Sequence, residues 1–156
     1  KPVSSWKYGF VTIISLVHDV ILTIGCFAIL GKLFGVEIDT LFVTAILVVL
    51  GYSVNDSIVV LDRVREKLSN TKEELRSSQF SELVGKSLLE TVARSLNTTI
   101  TTLLALIALY IFGGEATKNF SLALIVGITA GAYSSIFVAP QLLLVFFERG
   151  KKNLKN

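Results

Sequence analysis

Residues 41–61 read LFVTAILVVLGYSVNDSIVVL, and this stretch decides the fold. Its 21 residues include a single charged side chain, Asp56. An α-helix needs about 20 mostly apolar residues to cross a hydrocarbon layer of roughly 30 Å, and it satisfies its own backbone hydrogen bonds where lipid offers no partner. The stretch therefore predicts a transmembrane helix.

Three further apolar stretches lie at residues 10–30, 98–112 and 120–147. The chain has 156 residues, of which 52% are hydrophobic and 17% are charged, and its mean hydropathy is +0.68. This composition excludes a disordered chain. The helices of a soluble bundle would each carry a polar face at the 3.6-residue period, whereas these stretches are apolar most of the way round. We predict an all-α, polytopic membrane helix bundle with four transmembrane helices, which forms a single transmembrane domain over residues 1–156.

The third apolar stretch is too short to cross a membrane without its flanking residues. Its 15 residues would form a helix of about 22 Å, less than the roughly 30 Å of the hydrocarbon layer. Gly113 and Gly114 oppose an extension at one end, so we expect the helix to begin near Val92. The predicted helices therefore cover about residues 10–30, 41–61, 92–112 and 120–147.

Residues 62–96 form the longest predicted connection, and they carry the pattern of an amphipathic helix. Apolar side chains recur there at spacings of three and four residues, at Phe80, Leu83, Val84, Leu88 and Val92. Charged residues spaced by four follow the opposite side, at Glu82, Lys86 and Glu90. We predict a cytoplasmic amphipathic helix that lies along the membrane interface or against the bundle. The pattern fits a solvated connecting helix as well as a docking surface.

The distribution of basic residues predicts the orientation of the chain. Lysine and arginine accumulate on the cytoplasmic side of membrane proteins, and 13 of the 15 fall on one side here. The two connections on the other side carry only Lys32 and Lys118. With four spans both termini share a side, so we predict that both are cytoplasmic, in a cell inner membrane. The pI near 9.1 then reflects topology and contact with anionic membrane lipids, and it does not indicate nucleic-acid binding.

The first predicted helix carries a polar stripe around His18 and Asp19. A charged side chain at mid-bilayer costs about 2.5–3.5 kcal/mol on insertion scales, so a carboxylate there requires a reason. Small and polar residues share the face of Asp19 at spacings of three and four, namely Thr12, Ser15, Thr23 and Cys26. Either Asp19 hydrogen-bonds a neighbouring helix, or His18 and Asp19 handle protons or ions, because imidazole titrates near neutral pH.

Asp56 is the charged residue of the second helix, and it lies in the segment GYSVNDSIVVLDRVRE of residues 51–66, with Asn55 beside it. If the third helix begins near Val92, Arg94 enters the same leaflet at a depth similar to that of Asp56. Arg94 then either pairs with Asp56 or extends back to the lipid headgroups. The candidates for a proton pathway or a buried ion pair are therefore Asp56, Arg94, Asn55, Asp19 and His18.

The fourth predicted helix carries small residues at strict four-residue spacing, at Ala123, Gly127, Gly131 and Ser135. Such a ladder lets two helix backbones approach closely, so we predict that it is a helix-packing face. Pro140 follows the ladder, and we expect a kink at that position. A sliding interface between helices is the alternative interpretation of the same ladder.

The segment of residues 51–66 resembles the signature of the SecF protein-export membrane protein family. Further matches to that family are His18-Asp19-Val20, Arg94-Ser95-Leu96-Asn97-Thr98-Thr99, and residues 127–135, which end in Tyr133-Ser134-Ser135. These matches run in order along nearly the whole chain. The sister subunit SecD is similar in architecture but normally lacks the Tyr-Ser and Asn-Asp pairs of this segment, so the resemblance favours SecF.

The resemblance implies that the chain is the last four helices of a six-helix subunit similar to resistance-nodulation-division transporters. The chain begins with Lys1 and contains no methionine, so we also expect it to be part of a longer protein. A SecF-like subunit would act with SecD to promote export of unfolded polypeptide through the SecYEG channel, driven by the proton-motive force. Asp56 and Arg94 match by motif the membrane-embedded charges implicated in proton coupling. Protons are the only coupling species implied, and no cofactor is expected.

Two other classes of function share some of these features. A proton-coupled transporter subunit for small molecules or ions would also carry buried charges, although four helices without a second repeat make an isolated transport path doubtful. A purely structural assembly subunit would use the same charges to hold helices together. We expect no enzymatic activity, because the sequence has no nucleophile elbow, no phosphate-binding glycine loop and no metal-ligand cluster around its single histidine.

Overall fold

The computed structural model describes residues 5–70 and 77–153, and the side chains of residues 5–70 and 78–148. The helices are α1 (Ser5–Phe34), α2 (Thr40–Asn70), α3 (Ser77–Phe112), α4 (Glu115–Tyr133), a π-helical turn (Ser134–Val138) and α5 (Ala139–Asn153). The last three are continuous. The described residues contain four helical segments that are long and apolar enough to cross a membrane, which confirms the predicted all-α membrane fold.

Short connections join the helices at one end of the bundle, which we call the short-loop end. Gly35 follows α1 with a φ of 68°, and its N–H donates to the carbonyl oxygen of Gly31 at 3.0 Å. This conformation favours glycine and ends a helix. Asp39 then caps α2, because its Oδ1 accepts from the N–H of Phe42 at 2.9 Å. The second connection joins α3 to α4 and contains Gly113. A Cβ at this position would lie 2.3 Å from the carbonyl oxygen of Leu109, which is too close for any residue other than glycine.

The helices extend well beyond the apolar stretches at the opposite end, which we call the basic end. We expected a loop over residues 62–96 with a separate amphipathic helix, but α2 continues to Asn70 and α3 begins at Ser77. The remaining residues of that loop, 71–76, lie outside the described part of the chain. The difference has a simple cause, since residues 91–98 contain neither glycine nor proline and nothing interrupts the helix.

The apolar stripe of the predicted amphipathic helix faces the bundle as the first half of α3. Phe80 and Val84 are buried there, and the ring of Phe80 stacks on that of Phe147 with centroids 3.9 Å apart. On the polar side, Glu90 links α3 to α2 by accepting from Arg63 at 2.8 Å and from Lys67 at 2.5 Å. The amphipathic segment is therefore packed against the bundle.

Contacts between side chains fix the relative directions of the helices. Asp19 on α1 contacts Ser53 on α2, and the rings of Phe27 and Phe42 lie 4.7 Å apart near the short-loop end, so α1 and α2 are antiparallel. A Cβ on Gly127 would lie 2.3 Å from Val49 Cγ2, and one on Gly131 would lie 3.1 Å from Ser53 Cβ. The same offset of 78 residues in both pairs shows that α2 and α4 run parallel.

Two apolar clusters occupy the two ends of the bundle. The first lies towards the basic end and contains Val11, Leu61, Val64, Leu68, Phe80, Val84, Ala139, Leu143 and Phe147. The second lies towards the short-loop end and contains Phe27, Phe42, Ala45, Val49, Ala123, Leu124 and Ile128. Each of α1, α2 and α4 with its continuation contributes to both clusters. Between the clusters, most of the buried side chains on these helices are polar, and they form a layer across the middle of the bundle: Thr12, Ser15, Asp19, Thr23, Ser53, Ser57, Ser134 and Ser135.

The α4 segment is the central element of this bundle. In the most apolar window of each spanning helix, 56% of the residues are buried for the α4 segment, but 33% for α2, 22% for α1 and 11% for α3. The ladder residues Ala123, Gly127, Gly131 and Ser135 are all buried. Small side chains here let α2 approach closely, as the Gly127 and Val49 contact shows.

Candidate functional site

Asp19 lies in the polar layer and is fully buried. Its Oδ2 accepts two hydrogen bonds from other helices, one from Ser53 Oγ at 2.5 Å and one from Ser134 Oγ at 2.7 Å. Its Oδ1 lies 3.1 Å from Nδ1 of the adjacent His18. A buried carboxylate is costly unless its oxygens find donors, and three helical segments supply them here.

Asp56 lies in the same layer and is held in the same manner, although it is only half-buried. Its Oδ1 accepts a hydrogen bond from Ser95 Oγ on α3, and its Oδ2 accepts one from Ser135 Oγ. Both serines are buried. Each carboxylate of the layer is therefore bound by two serine hydroxyls that belong to neighbouring helical segments.

The π-helical turn connects the two carboxylates, because its first two residues serve one each. Ser134 donates to Asp19 and Ser135 donates to Asp56. The N–H of Ala139 donates to the carbonyl oxygen of Ser134, five residues earlier, as a π-helix requires. Such turns occur frequently at functional sites. Proline at position 140 has no N–H to donate, and the altered hydrogen-bond ladder lies directly before it.

Further hydroxyls on α3 extend the layer in both directions from Ser95. Ser87, Thr91, Ser95 and Thr99 are all buried and are spaced by four residues, so they share one face of the helix. Thr91 Oγ1 donates to the carbonyl oxygen of Ser87 at 3.1 Å, and Thr99 Oγ1 accepts from the hydroxyl of Tyr52 at 3.3 Å. This row of hydroxyls includes the serine that binds Asp56.

The other candidate residues lie at the margin of the layer or outside it. The side chain of His18 is 35% exposed and touches the layer only through Asp19. Asn55 and Arg94 are exposed on the outside of this four-helix bundle. Among the described side chains, Asp56 and Arg94 form no ion pair, and the residue that reaches Asp56 from α3 is Ser95, next to Arg94 in sequence.

The serines that bind the carboxylates were not identified as site residues from the sequence. Ser135 stood out only as a small residue suited to close packing, and Ser53, Ser95 and Ser134 only as parts of matching motifs. A serine in an apolar helix carries a hydroxyl that requires a partner, and a carboxylate in the next helix is a strong acceptor. Combining these two requirements would have pointed to the four serines.

The arrangement suits the binding and release of a proton. A carboxylate only accepts hydrogen bonds and accepts them strongly because it is charged, whereas a carboxylic acid also donates one and is a weaker acceptor, so protonation weakens the hydrogen bonds from the serine hydroxyls. Because the serines belong to other helical segments, the hydrogen bonds between helices change with the charge of the carboxyl group. Within residues 5–70 and 77–153, no three His, Cys, Asp or Glu side chains are grouped so as to hold a metal ion.

Comparison with known sequences places this geometry in a family. Residues 4–149 match the family model described as protein export membrane protein SecD/SecF, C-terminal. The chain is 53% identical over 145 residues to the protein translocase subunit SecF of Thermobaculum terrenum, which covers 92% of this chain and 44% of that protein. It is 51% identical over 134 residues to the SecF subunit of Haemophilus influenzae, which covers 86% of this chain and 39% of that protein. The chain thus spans less than half the length of these relatives.

A solved structure shares the fold. The chain superposes on the crystal structure of SecDF in a super-membrane-facing form with a TM-score of 0.81 and 37% sequence identity. The alignment covers 96% of this chain and 19% of the other. The similarity therefore extends over nearly all of this helix bundle and over a small part of the larger protein.

Proposed function

Because this chain belongs to the SecD/SecF C-terminal family of protein-export membrane proteins, we propose that it is the transmembrane part of a SecF-like translocase subunit. It crosses a cell inner membrane several times, with its basic end in the cytoplasm. The subunit couples the proton-motive force to the export of polypeptides. The identity of 53% with a SecF subunit and the match over residues 4–149 support this assignment.

One observation carries the proposal for energy coupling: two carboxylates lie in a polar layer between two apolar clusters. A charge that moves across a membrane potential of 100 mV gains about 2.3 kcal/mol. The half-buried Asp56 is the group that exchanges protons with the exterior of the bundle, since part of its side chain remains accessible. When Asp56 binds a proton, its hydrogen bonds with Ser95 and Ser135 are rearranged and the helices repack between two states.

The surface of α3 is the face on which a partner subunit binds. In its most apolar window only 11% of the residues are buried within this chain. Arg94 lies exposed on this helix, where it reaches lipid headgroups or a polar group of the partner. The partner is a SecD-like subunit, and the pair acts on unfolded polypeptide that leaves through a SecYEG-type channel. The SecDF structure, which shares the fold at a TM-score of 0.81, supports the choice of partner.

The decisive test is Asp56→Asn in the full-length protein, assembled with its SecD-like partner in membrane vesicles. Asparagine keeps the shape of the side chain and a carbonyl oxygen for one serine, but it cannot change charge. Stimulation of polypeptide export by an imposed proton-motive force should be largely lost, while the amount of assembled complex stays the same. Export with and without a protonophore measures the first quantity, and co-purification of the partner measures the second.

Asp62→Asn is the matched control, because it makes the same chemical change on the same helix. Asp62 is exposed and lies outside the apolar stretch of α2. This variant should retain wild-type stimulation. Full stimulation in the Asp56→Asn protein would show that Asp56 does not couple export to protons.

A purely structural role is the second candidate, and the complete hydrogen bonding of both carboxylates favours it. Asp19 and Asp56 each accept from two helical segments, which would hold a bundle together even without proton exchange. In that case Asp56→Ala should reduce the yield of assembled complex. The export that remains, normalised to the amount of complex, should respond to the proton-motive force as the wild type does.

A further inference from the structure

Two buried hydroxyls next to the carboxylates have no hydrogen-bond partner among the described residues. They are Ser15 Oγ on α1 and Ser57 Oγ on α2, and both serines are fully buried. Other buried hydroxyls in this bundle, such as those of Thr23 and Ser121, donate to the carbonyl oxygen four residues earlier. The hydroxyls of Ser15 and Ser57 do not donate to the carbonyl oxygen four residues earlier, so they are free to bind another polar group.

The register of the helices places these two serines opposite each other. Asp19 on α1 accepts a hydrogen bond from Ser53 on α2, and the two helices are antiparallel. Ser15 precedes Asp19 by four residues and Ser57 follows Ser53 by four residues. Both therefore lie one helical turn, about 6 Å, from the contact between Asp19 and Ser53, on its basic-end side.

Apolar side chains lie on the basic-end side of these two serines. Val11 and Leu61 follow one turn further along α1 and α2, and both belong to the first apolar cluster. On the other side of the serines lies the carboxylate of Asp19. The register thus brings three polar side chains around one position at the edge of the polar layer, and internal waters typically make about three hydrogen bonds.

We propose that Ser15 and Ser57 bind an internal water molecule beside Asp19. A buried hydroxyl without a partner is destabilising, and a water between the two serines satisfies both of them. The site is a hydration site in the membrane-embedded part of the bundle, separate from the four serines that bind the carboxylates directly.

This water has a role in proton coupling that rests on the proposed function. A water molecule donates a hydrogen bond to a carboxylate and accepts one from a carboxylic acid, so it suits both protonation states of Asp19. The offset of 78 residues between α2 and α4 also brings Ser57 level with Ser135, which donates to Asp56. The water therefore lies level with the hydroxyl that binds Asp56, and one helical turn from the contact between Asp19 and Ser53.

Difference infrared spectroscopy of the full-length complex tests the site directly. Spectra are recorded for a change of pH in ordinary water and in water labelled with heavy oxygen, and the isotope-sensitive O–H stretching band of a weakly hydrated internal water is measured. The wild-type complex should show this band. Ser15→Ala and Ser57→Ala should each weaken or shift it, and the double variant should lack it.

Ser121→Ala is the matched control, because Ser121 is equally buried but donates to the carbonyl oxygen of Thr117. It should leave the band unchanged. If the double variant does not assemble, the two single variants decide the question. The proposal is overturned if the wild type shows no such band, or if the band persists unchanged in both single variants. Because the band does not depend on export, its absence in a complex that still responds to the proton-motive force refutes the water site alone.

Discussion

Asp19 and Asp56 occupy one polar layer and are each bound by two serines, yet only Asp19 is fully buried. Asp19 has no exposed surface, and its serines come from α2 and the π-helical turn. Asp56 is half-buried, and its serines come from α3 and the same turn. The α3 segment that covers Asp56 is the least buried of the four spanning helices, whereas Asp19 lies against the most buried one.

The difference in burial between the two carboxylates suits them to different tasks. A fully buried carboxylate that accepts from two helical segments mainly fixes their arrangement, because moving it would leave several polar groups unpaired. A half-buried carboxylate next to a weakly packed helix can exchange a proton and release that helix. In the proposed function, the shared π-helical turn passes a change at Asp56 to the segment that holds Asp19, because Ser134 and Ser135 are adjacent.

The largest expected effect comes from removing each carboxylate in turn. Asp19→Ala removes the acceptor of the Ser53 hydroxyl and leaves the Ser134 hydroxyl with only the carbonyl oxygen of Gly131, so the bundle should lose about 1–3 kcal/mol of unfolding free energy. Asp56→Ala should lose about half as much, because Asp56 itself is half-buried and its position is open to the exterior of the bundle. Reversible unfolding in detergent micelles measures both values. Equal losses would contradict the distinction between the two sites.

An intermediate effect is expected where α2 and α4 approach most closely. Gly127→Ala places a Cβ 2.3 Å from Val49 Cγ2 and should destabilise the bundle by about 1–3 kcal/mol through overpacking. Because α2 carries Ser53 and Asp56, the same change should weaken the hydrogen bonds of both carboxylates. Stability in micelles and stimulation of export by the proton-motive force are the measurements.

Gly51→Ala serves as the control for that variant, since a Cβ at Gly51 meets no atom within 4 Å. It should be neutral or slightly stabilising, because alanine favours a helix more than glycine does. Adding Val49→Ala to Gly127→Ala should restore much of the lost stability. Failure of the second substitution to do so would mean that the contact with Val49 is not the cause.

The smallest effect is expected from removing one serine of the π-helical turn at a time. Ser134→Ala removes a donor from Asp19 and Ser135→Ala removes one from Asp56, each at a loss of about 1 kcal/mol. We expect Ser134→Ala to reduce stability more, and Ser135→Ala to change the dependence of export on the proton-motive force more. Ser121→Ala on the same segment is the control. The reverse ranking would exchange the roles of the two carboxylates.

The fold was predictable because hydropathy alone requires four helices. A long apolar segment in lipid must satisfy its own backbone hydrogen bonds, and a helix does so. A stretch such as residues 41–61 therefore predicts a helix without reference to the rest of the chain. The ends of the helices were less predictable. The apolar stretch of α2 ends at Leu61, whereas the helix itself continues to Asn70, because composition marks the part of a helix that meets lipid and does not mark where the helix ends.

The sequence predicted which level of α3 lies beside Asp56, but it did not predict which side chain of α3 faces Asp56. The length of the third helix indicated that Arg94 reaches the level of Asp56, and its neighbour Ser95 does bind Asp56. Adjacent residues of an α-helix differ by about 100° in direction, so a depth estimate cannot choose between Arg94 and Ser95. The choice depends on the rotation of α3 about its axis, which the packing of Phe80 and Val84 in the first apolar cluster helps to fix.

The π-helical turn determines the direction in which the side chains of α5 point. It contains one residue more than an α-helical turn would, and its wider turn accommodates that residue, whereas winding all of residues 134–138 as an α-helix would rotate α5 by about 100°. Leu143 and Phe147 would then point away from the cluster they share with Phe80. The π-helical turn thus keeps both side chains in the cluster despite the additional residue, and an aligned relative with a gap of one residue at this point could reach the same packing with a continuous α-helix.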